Sequence, residues 1–144
     1  MDAVIRCAQL CPARMPVLLL GLLLASCTSF HSFCPPGLER MTSAELIFGR
    51  NIAGGGFVSD ADWSKFVDTE VTPRFPDGLS VFDAQGQWRG PDGALVREPS
   101  KLLLIVIEGT KDDEAKLEAI RDAYRTHFKQ QSVLLIEHRE CVAF

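Results

Sequence analysis

Lys101-Leu102-Leu103-Leu104-Ile105-Val106-Ile107 is apolar from its second residue to its last. A continuous run of this kind is the pattern of a strand buried on both faces, and such a strand belongs inside a sheet rather than at its rim. Upstream, Pro99 lacks a backbone donor and reads as an interruption, a bulge or edge position, after an extended segment from Ala94 to Glu98. Before that, Gly90-Pro91-Asp92-Gly93 is a turn signal and Gln85-Gly86-Gln87 a second one leading to Trp88. Leu79-Ser80-Val81-Phe82-Asp83-Ala84 alternates as a strand does. Downstream, Thr110 can cap a helix on which Leu117, Ile120, Tyr124 and Phe128 recur at spacings of three and four, and Ser132 to Glu137 is a last strand.

The front of the domain completes the pattern. Residues 42–49 read as a strand, with Leu46 and Phe48 on one face and Ile47 on the other, and Asn51 to Gly56 is a glycine-rich loop. Ser59 with Asp62 resembles a capping box, and Trp63, Phe66 and Val67 give helical spacing over Asp60–Glu70, ended before Pro73. The order strand, helix, strand, strand, helix, strand predicts an α+β domain of ferredoxin-like, split β-α-β type. Its four-stranded antiparallel sheet should run in the order 4-1-3-2, with both helices on one face. The alternation leaves the other face with more Leu and Val than charge, as a covered or dimeric face would have. The end of the last strand should lie beside the start of the first, bringing Cys141 near Met41. Cys34 lies close upstream, and an extended segment of that length reaches about 20 Å.

The N-terminus specifies an address. Arg6 and Arg14 precede an apolar stretch from Val17 to Leu24, and Leu24-Ala25-Ser26-Cys27 closes it with small residues before a cysteine. This is the anatomy of a lipoprotein signal peptide over residues 1–26, and Pro16 to Ser26 is too short for a bilayer core that needs about 20 residues. An ordinary secretory signal cleaved elsewhere and an uncleaved anchor are the rival readings. Cleavage would leave Cys27 as an acylated N-terminus, each buried CH₂ contributing about 0.8 kcal/mol to membrane binding. Thr28 is not the aspartate that marks inner-membrane retention in many enteric bacteria, so the expectation is an exported protein on the periplasmic face of the outer membrane, if the host is Gram-negative. Residues 27–40, rich in Ser, Pro and Cys, then form a flexible tether, and residues 41–144 form one domain.

The formal net charge is −4, and removal of Arg6, Arg14 and Asp2 makes it one unit more negative. With no run of basic residues, nucleic acid is not an expected partner. Of the five cysteines, Cys7 and Cys11 leave with the signal and Cys27 takes the lipid. Cys34 and Cys141 are left to form a disulfide in an oxidising compartment, or to serve as unpaired small hydrophobes. His31, His127 and His138 are far apart and show no ligand spacing, so neither a metal nor a cofactor is expected.

In sequence the chain resembles the short bacterial secreted proteins and lipoproteins grouped as domain of unknown function 3574. The resemblance rests on Glu45-Leu46-Ile47-Phe48-Gly49-Arg50, Val58-Ser59-Asp60-Ala61-Asp62-Trp63 with Phe66-Val67, and Thr72-Pro73-Arg74-Phe75-Pro76-Asp77-Gly78-Leu79-Ser80-Val81. It continues through Asp83-Ala84-Gln85-Gly86-Gln87-Trp88-Arg89, Arg97-Glu98-Pro99-Ser100-Lys101 and Phe128-Lys129-Gln130-Gln131-Ser132-Val133-Leu134. It implies an exported α+β domain and supplies no catalytic residues.

The polar residues that core packing leaves unexplained are Arg50, Arg74, Trp88, Arg97 and Glu98. Arginine near an aromatic and glycine-rich backbone can grip a carboxylate or phosphate, which makes a small anionic ligand the expected chemistry. Each has a structural alternative: Arg74 pairing with Asp77 or Glu98 to hold its turn, Trp88 as a lid over a core edge. Arg97 and Glu98, being adjacent in a strand, should face opposite sides. Glu108 and His138 could meet at a sheet end as base and partner. Two classes of function stay open. One is a non-enzymatic envelope module that binds a small ligand or a partner protein; the other is a small cofactor-free enzyme whose paired sheets, in a homodimer, enclose a pocket where Arg works with Glu or His.

The address is tested by metabolic labelling with a palmitate analogue: the wild-type chain is expected to take the label and Cys27→Ser to lose both the label and the membrane fraction. Membrane retention of Cys27→Ser would contradict lipidation.

Overall fold

A computed structural model describes residues 33–144; the signal-peptide reading of residues 1–26, Cys27 and His31 lie outside them. The elements are β1 (Glu39–Gly49), α1 (Asp60–Phe66), β2 (Ser80–Arg89), β3 (Leu95–Ile107), α2 (Lys111–His127) and β4 (Leu134–Val142). The sheet runs β2-β3-β1-β4 with every pairing antiparallel, the ferredoxin-like order. β1 starts at Glu39, inside the stretch that composition alone assigns to the tether.

Both helices start where a side chain can receive the free backbone donors of the first turn. Ser59 accepts from the Asp62 N–H while the Asp62 carboxylate accepts from Ser59, and Thr110 and Asp113 repeat the arrangement. After Phe66 the first helix widens into a π-helical turn over Val67–Val71, so the helical stretch extends one residue beyond the Glu70 expected from periodicity.

Alternation in the strands sorts the two faces of the sheet. Toward the helices point Ala44, Leu46 and Phe48 of β1 and Leu103, Ile105 and Ile107 of β3, all buried. From the helices come Trp63, Phe66, Leu117, Ile120, Tyr124 and Phe128. The aromatic members meet edge to face, with Phe48 and Tyr124 centroids 4.7 Å apart and Phe66 and Tyr124 5.1 Å apart. Burial of such side chains contributes roughly 1.5–3 kcal/mol each. On the other face, where no helix lies among the described residues, Phe82, Leu102, Ile47 and Leu134 form one row across all four strands.

Two local expectations are corrected. Gln85-Gly86-Gln87 is not a turn: β2 runs straight through to Arg89, and Gly86 pairs with Glu98. A Cβ there would lie 3.0 Å from Ser100 Oγ on the neighbouring strand, a tighter contact than side chains ordinarily make. Nor does Pro99 interrupt β3. It pairs with Gln85 inside a continuous strand, and its carbonyl, which proline retains, accepts the Arg50 N–H at 3.1 Å. The turn is Gly90–Gly93, where Gly90 donates to Ala94 at 2.8 Å and Gly93 has φ +82°.

Cys34 and Cys141 form a disulfide, with Cα atoms 5.5 Å apart and a sequence separation of 107. Because Cys141 pairs with Arg40 in the β1–β4 ladder, the bridge fastens the chain entering the sheet to the end of its last strand. Closing so long a loop restricts the unfolded chain strongly. Reduction, or Cys141→Ser, is expected to lower unfolding free energy by about 2–4 kcal/mol in a denaturant titration; an unchanged midpoint would contradict this.

Candidate functional site

The β2–β3 hairpin outruns β1, whose pairing with β3 ends at Gly49 and Ser100. On the helix-free side of this arm the pleat brings Gly86 and Trp88 of β2 beside Val96, Glu98 and Ser100 of β3. The Glu98 carboxylate accepts the Trp88 indole N–H at 2.9 Å and the Asn51 backbone N–H at 3.2 Å. It also lies flat against Gly49, where a Cβ would come within 2.7 Å of Oε1. One carboxylate thus joins the arm, the end of β1 and the loop beyond it.

The loop after α2 makes the facing wall. Lys129 takes the left-handed conformation, φ 52°, and Gln130 donates from Nε2 to the Asn51 carbonyl at 2.7 Å. Between the walls is a groove of about 460 Å³, with Ile47, Val96 and Leu134 supplying apolar surface. Ser100 lines it at 2% exposure, and its hydroxyl has no hydrogen-bond partner. A buried hydroxyl left unpaired carries a desolvation penalty of roughly 1–3 kcal/mol. Tyr124 anchors the groove from below: its hydroxyl donates to the Gly49 carbonyl at 2.9 Å, and burial raises its pKa above the ordinary phenol value.

Of the residues singled out in the sequence, Trp88 and Glu98 meet here. The arginines go elsewhere. Arg50 is 6% exposed and points to the helix side, where its Nε donates to the Val58 carbonyl at 2.7 Å and Nη1 pairs with Asp60 at 3.1 Å. Phe57 covers the guanidinium, 4.2 Å from ring centroid to Cζ, and the Nη2 atom is buried without a partner. Arg74 pairs with Glu70, four residues before it, at 3.0 Å, rather than with Asp77 or Glu98. Arg97 does lie on the face opposite Glu98 and donates to Gln87 Oε1. Neither a hydrogen bond nor an ion pair joins Glu108 to His138 among the described residues, and His138 sits on β4 opposite Ser43.

A larger hollow of about 760 Å³ lies at the other end of the sheet, lined in part by Arg74, Leu104, Asp112 and Lys116. Its two cations are already paired, Lys116 with Asp112 and Arg74 with Glu70. The groove at Glu98 is the better candidate because it holds a buried hydroxyl, that of Ser100, without a partner. Among the described residues, no three of His, Cys, Asp and Glu come together as a metal site requires. Residues missed in the sequence are Gly49, Asn51, Ser100 and Gln130. The one local signal for them was Glu98 and Ser100 two apart on a strand face, beside a mid-strand glycine.

On the helix side Lys101, 8% exposed, bonds both Asp60 and Asp83. The Lys101 hydrogen bond, aided by Arg50, holds the Asp60 pKa below its ordinary value, and Asp83 first and Asp60 second raise that of Lys101. A carboxyl whose folded pKa is depressed stabilises the fold above its unfolded pKa and ceases to do so as pH falls through the folded one. The gap in thermal midpoint between wild type and Asp60→Asn should therefore be present at pH 7 and close as pH drops below about 4. A gap independent of pH would contradict the ion pair.

A sequence profile described as protein of unknown function (DUF3574) matches residues 43–144. No curated protein matches the chain. Among solved structures, a phage SAM lyase in complex with S-methyl-5′-thioadenosine is similar at a TM-score of 0.58 and 20% identity, over 81% of this chain and 97% of that one. The same kind of lyase in its apo state gives a TM-score of 0.53 at 21% identity, over 73% and 90% of the two chains. At such identity the likeness establishes the α+β fold alone. With the profile spanning residues 43–144, which hold both helices and all of the sheet but the first residues of β1, the chain belongs to the DUF3574 family.

Proposed function

We propose that this protein is an exported lipoprotein, held to the membrane through Cys27, whose helix-free sheet face is a non-enzymatic binding surface for a small ligand in the cell envelope. The address rests on the sequence before Cys27. The observation that carries the binding reading is the groove at Glu98, in which a buried hydroxyl has no partner and two glycines, at 49 and 86, keep room for the polar groups. Folded proteins rarely leave such groups unmatched except where another molecule supplies the match. Polar groups set among apolar side chains, here Ile47, Val96 and Leu134, are also the usual composition of a small-molecule site. The helices play no part in it beyond supporting the sheet from behind.

A panel of small fragments titrated into the full-length protein in detergent, read by amide chemical shifts, tests this. Binders are expected to move Gly49, Gly86 and Gln130 together. Shifts confined to the helix side, or none from any fragment, would contradict the assignment.

A further inference from the structure

The charge inside the groove restricts what can fill it. Glu98 has no Lys, Arg or His within ion-pair distance among the described residues, although its oxygens accept from two neutral donors. Each carboxylate oxygen accepts two hydrogen bonds, so each keeps one open position. Ser100, on the same face of β3 and opening into the same groove, offers a further acceptor in its unpartnered hydroxyl. The rest of the lining mixes apolar Ile47, Val96 and Leu134 with polar Gln130 and Gln131 and with Lys129, which makes no ion pair with Glu98. The arginines that could have received an anion are bound to Val58, Asp60, Glu70 and Gln87.

We propose that the groove binds a small organic ammonium ion, whose N–H donors reach Glu98 and the Ser100 hydroxyl while its apolar body lies on Ile47 and Leu134. This rests on the reading of the helix-free face as a ligand-binding surface and specifies its ligand class. The ammonium group supplies what the site lacks. It brings a positive charge to a carboxylate that has none within ion-pair distance, and several donors to acceptors that have positions open. A neutral alcohol would satisfy one acceptor and leave the charge unmatched, and a carboxylate ligand would meet like charge in a partly dry groove, where repulsion is strong. A volume of about 460 Å³ falls in the range of small-molecule sites, roughly 300–1,000 Å³. The net charge of −4 also favours the approach of a cation over that of an anion.

The chain contains two tryptophans, so the full-length protein has two indole N–H signals. Trp88 reports from the groove and Trp63 from the core. Titration with 2-phenylethylammonium at pH 7 is expected to move the Trp88 signal saturably and leave Trp63 in place, whereas 3-phenylpropionate and 2-phenylethanol should leave both unmoved. Glu98→Gln, which keeps size and an acceptor but removes the charge, should weaken ammonium binding at least about tenfold. Equal binding by Glu98→Gln, an equal response to the propionate or the alcohol, or no Trp88 response at about 10 mM ammonium would overturn the proposal. If Glu98→Gln loses the dispersed Trp63 signal of a folded core, Gly86→Ala is the second variant. Its methyl would crowd Ser100 Oγ, and undiminished ammonium binding by that variant would equally overturn the assignment. Binding of the anion or the alcohol in place of the ammonium would end this proposal while leaving a small-ligand site; silence of every fragment in the screen would end both.

Discussion

The Glu98 carboxylate is the joint on which the helix-free side of the molecule depends. It takes a hydrogen bond from the hairpin arm through Trp88 and another from the loop after β1 through Asn51, while resting on Gly49. The Arg50 N–H to the Pro99 carbonyl is the other hydrogen bond between the arm and the chain leaving β1. Residues 95–98 of β3 have a ladder partner only in β2, so beyond Ser100 the arm needs a contact to β1 to keep its direction. Hydrogen bonds to an ionised group stabilise more than neutral ones, about 1.5–3 kcal/mol each. Two of them can set the position of an arm that hydrophobic packing does not reach.

The covered face of the sheet supports that joint from behind. Phe48, Trp63, Phe66 and Tyr124 pack edge to face, and the Tyr124 hydroxyl passes through this cluster to the Gly49 carbonyl. The aromatic core and the groove therefore share one peptide unit, the last of β1. The same end of the sheet carries Arg50 and Lys101 on the helix side, both turned to Asp60. The residue sequence Gly49-Arg50 thus serves two faces in turn: a side chain is absent where the carboxylate must lie, and a long cation follows where the next position turns inward.

Much of the fold was legible because periodicity is a property of single elements. The apolar run 101–107 marked the central strand, the Ser59–Asp62 spacing and the Thr110 cap marked the two helix starts, and the element order then restricted the topology to the ferredoxin-like arrangement. Gly86 and Pro99 misled for one physical reason. Both residues usually break strands, yet here cross-strand neighbours decide: Ser100 crowds the place a side chain would take at Gly86, and Arg50 uses the one hydrogen-bonding group that proline keeps. The site was half legible. Trp88 and Glu98 stood out as polar or amphipathic residues without a core role, and the two-residue period correctly set Arg97 apart from Glu98. What brought Asn51 and Gln130 to the groove is a pair of loops 79 residues apart, and no local pattern encodes that meeting. Arg50 misled because a cation at the end of a strand reads as exposed, while Val58, Asp60 and Phe57 fold over it.

Hydrogen exchange at two named positions tests the joint most directly. In the full-length protein the Trp88 indole N–H and the Asn51 amide N–H should exchange slowly although both side chains reach the surface, and Glu98→Ala should speed both while amides in the centre of β1 keep their protection. Fast exchange of the two protons in the wild-type chain, or slow exchange that Glu98→Ala leaves unchanged, would contradict the account.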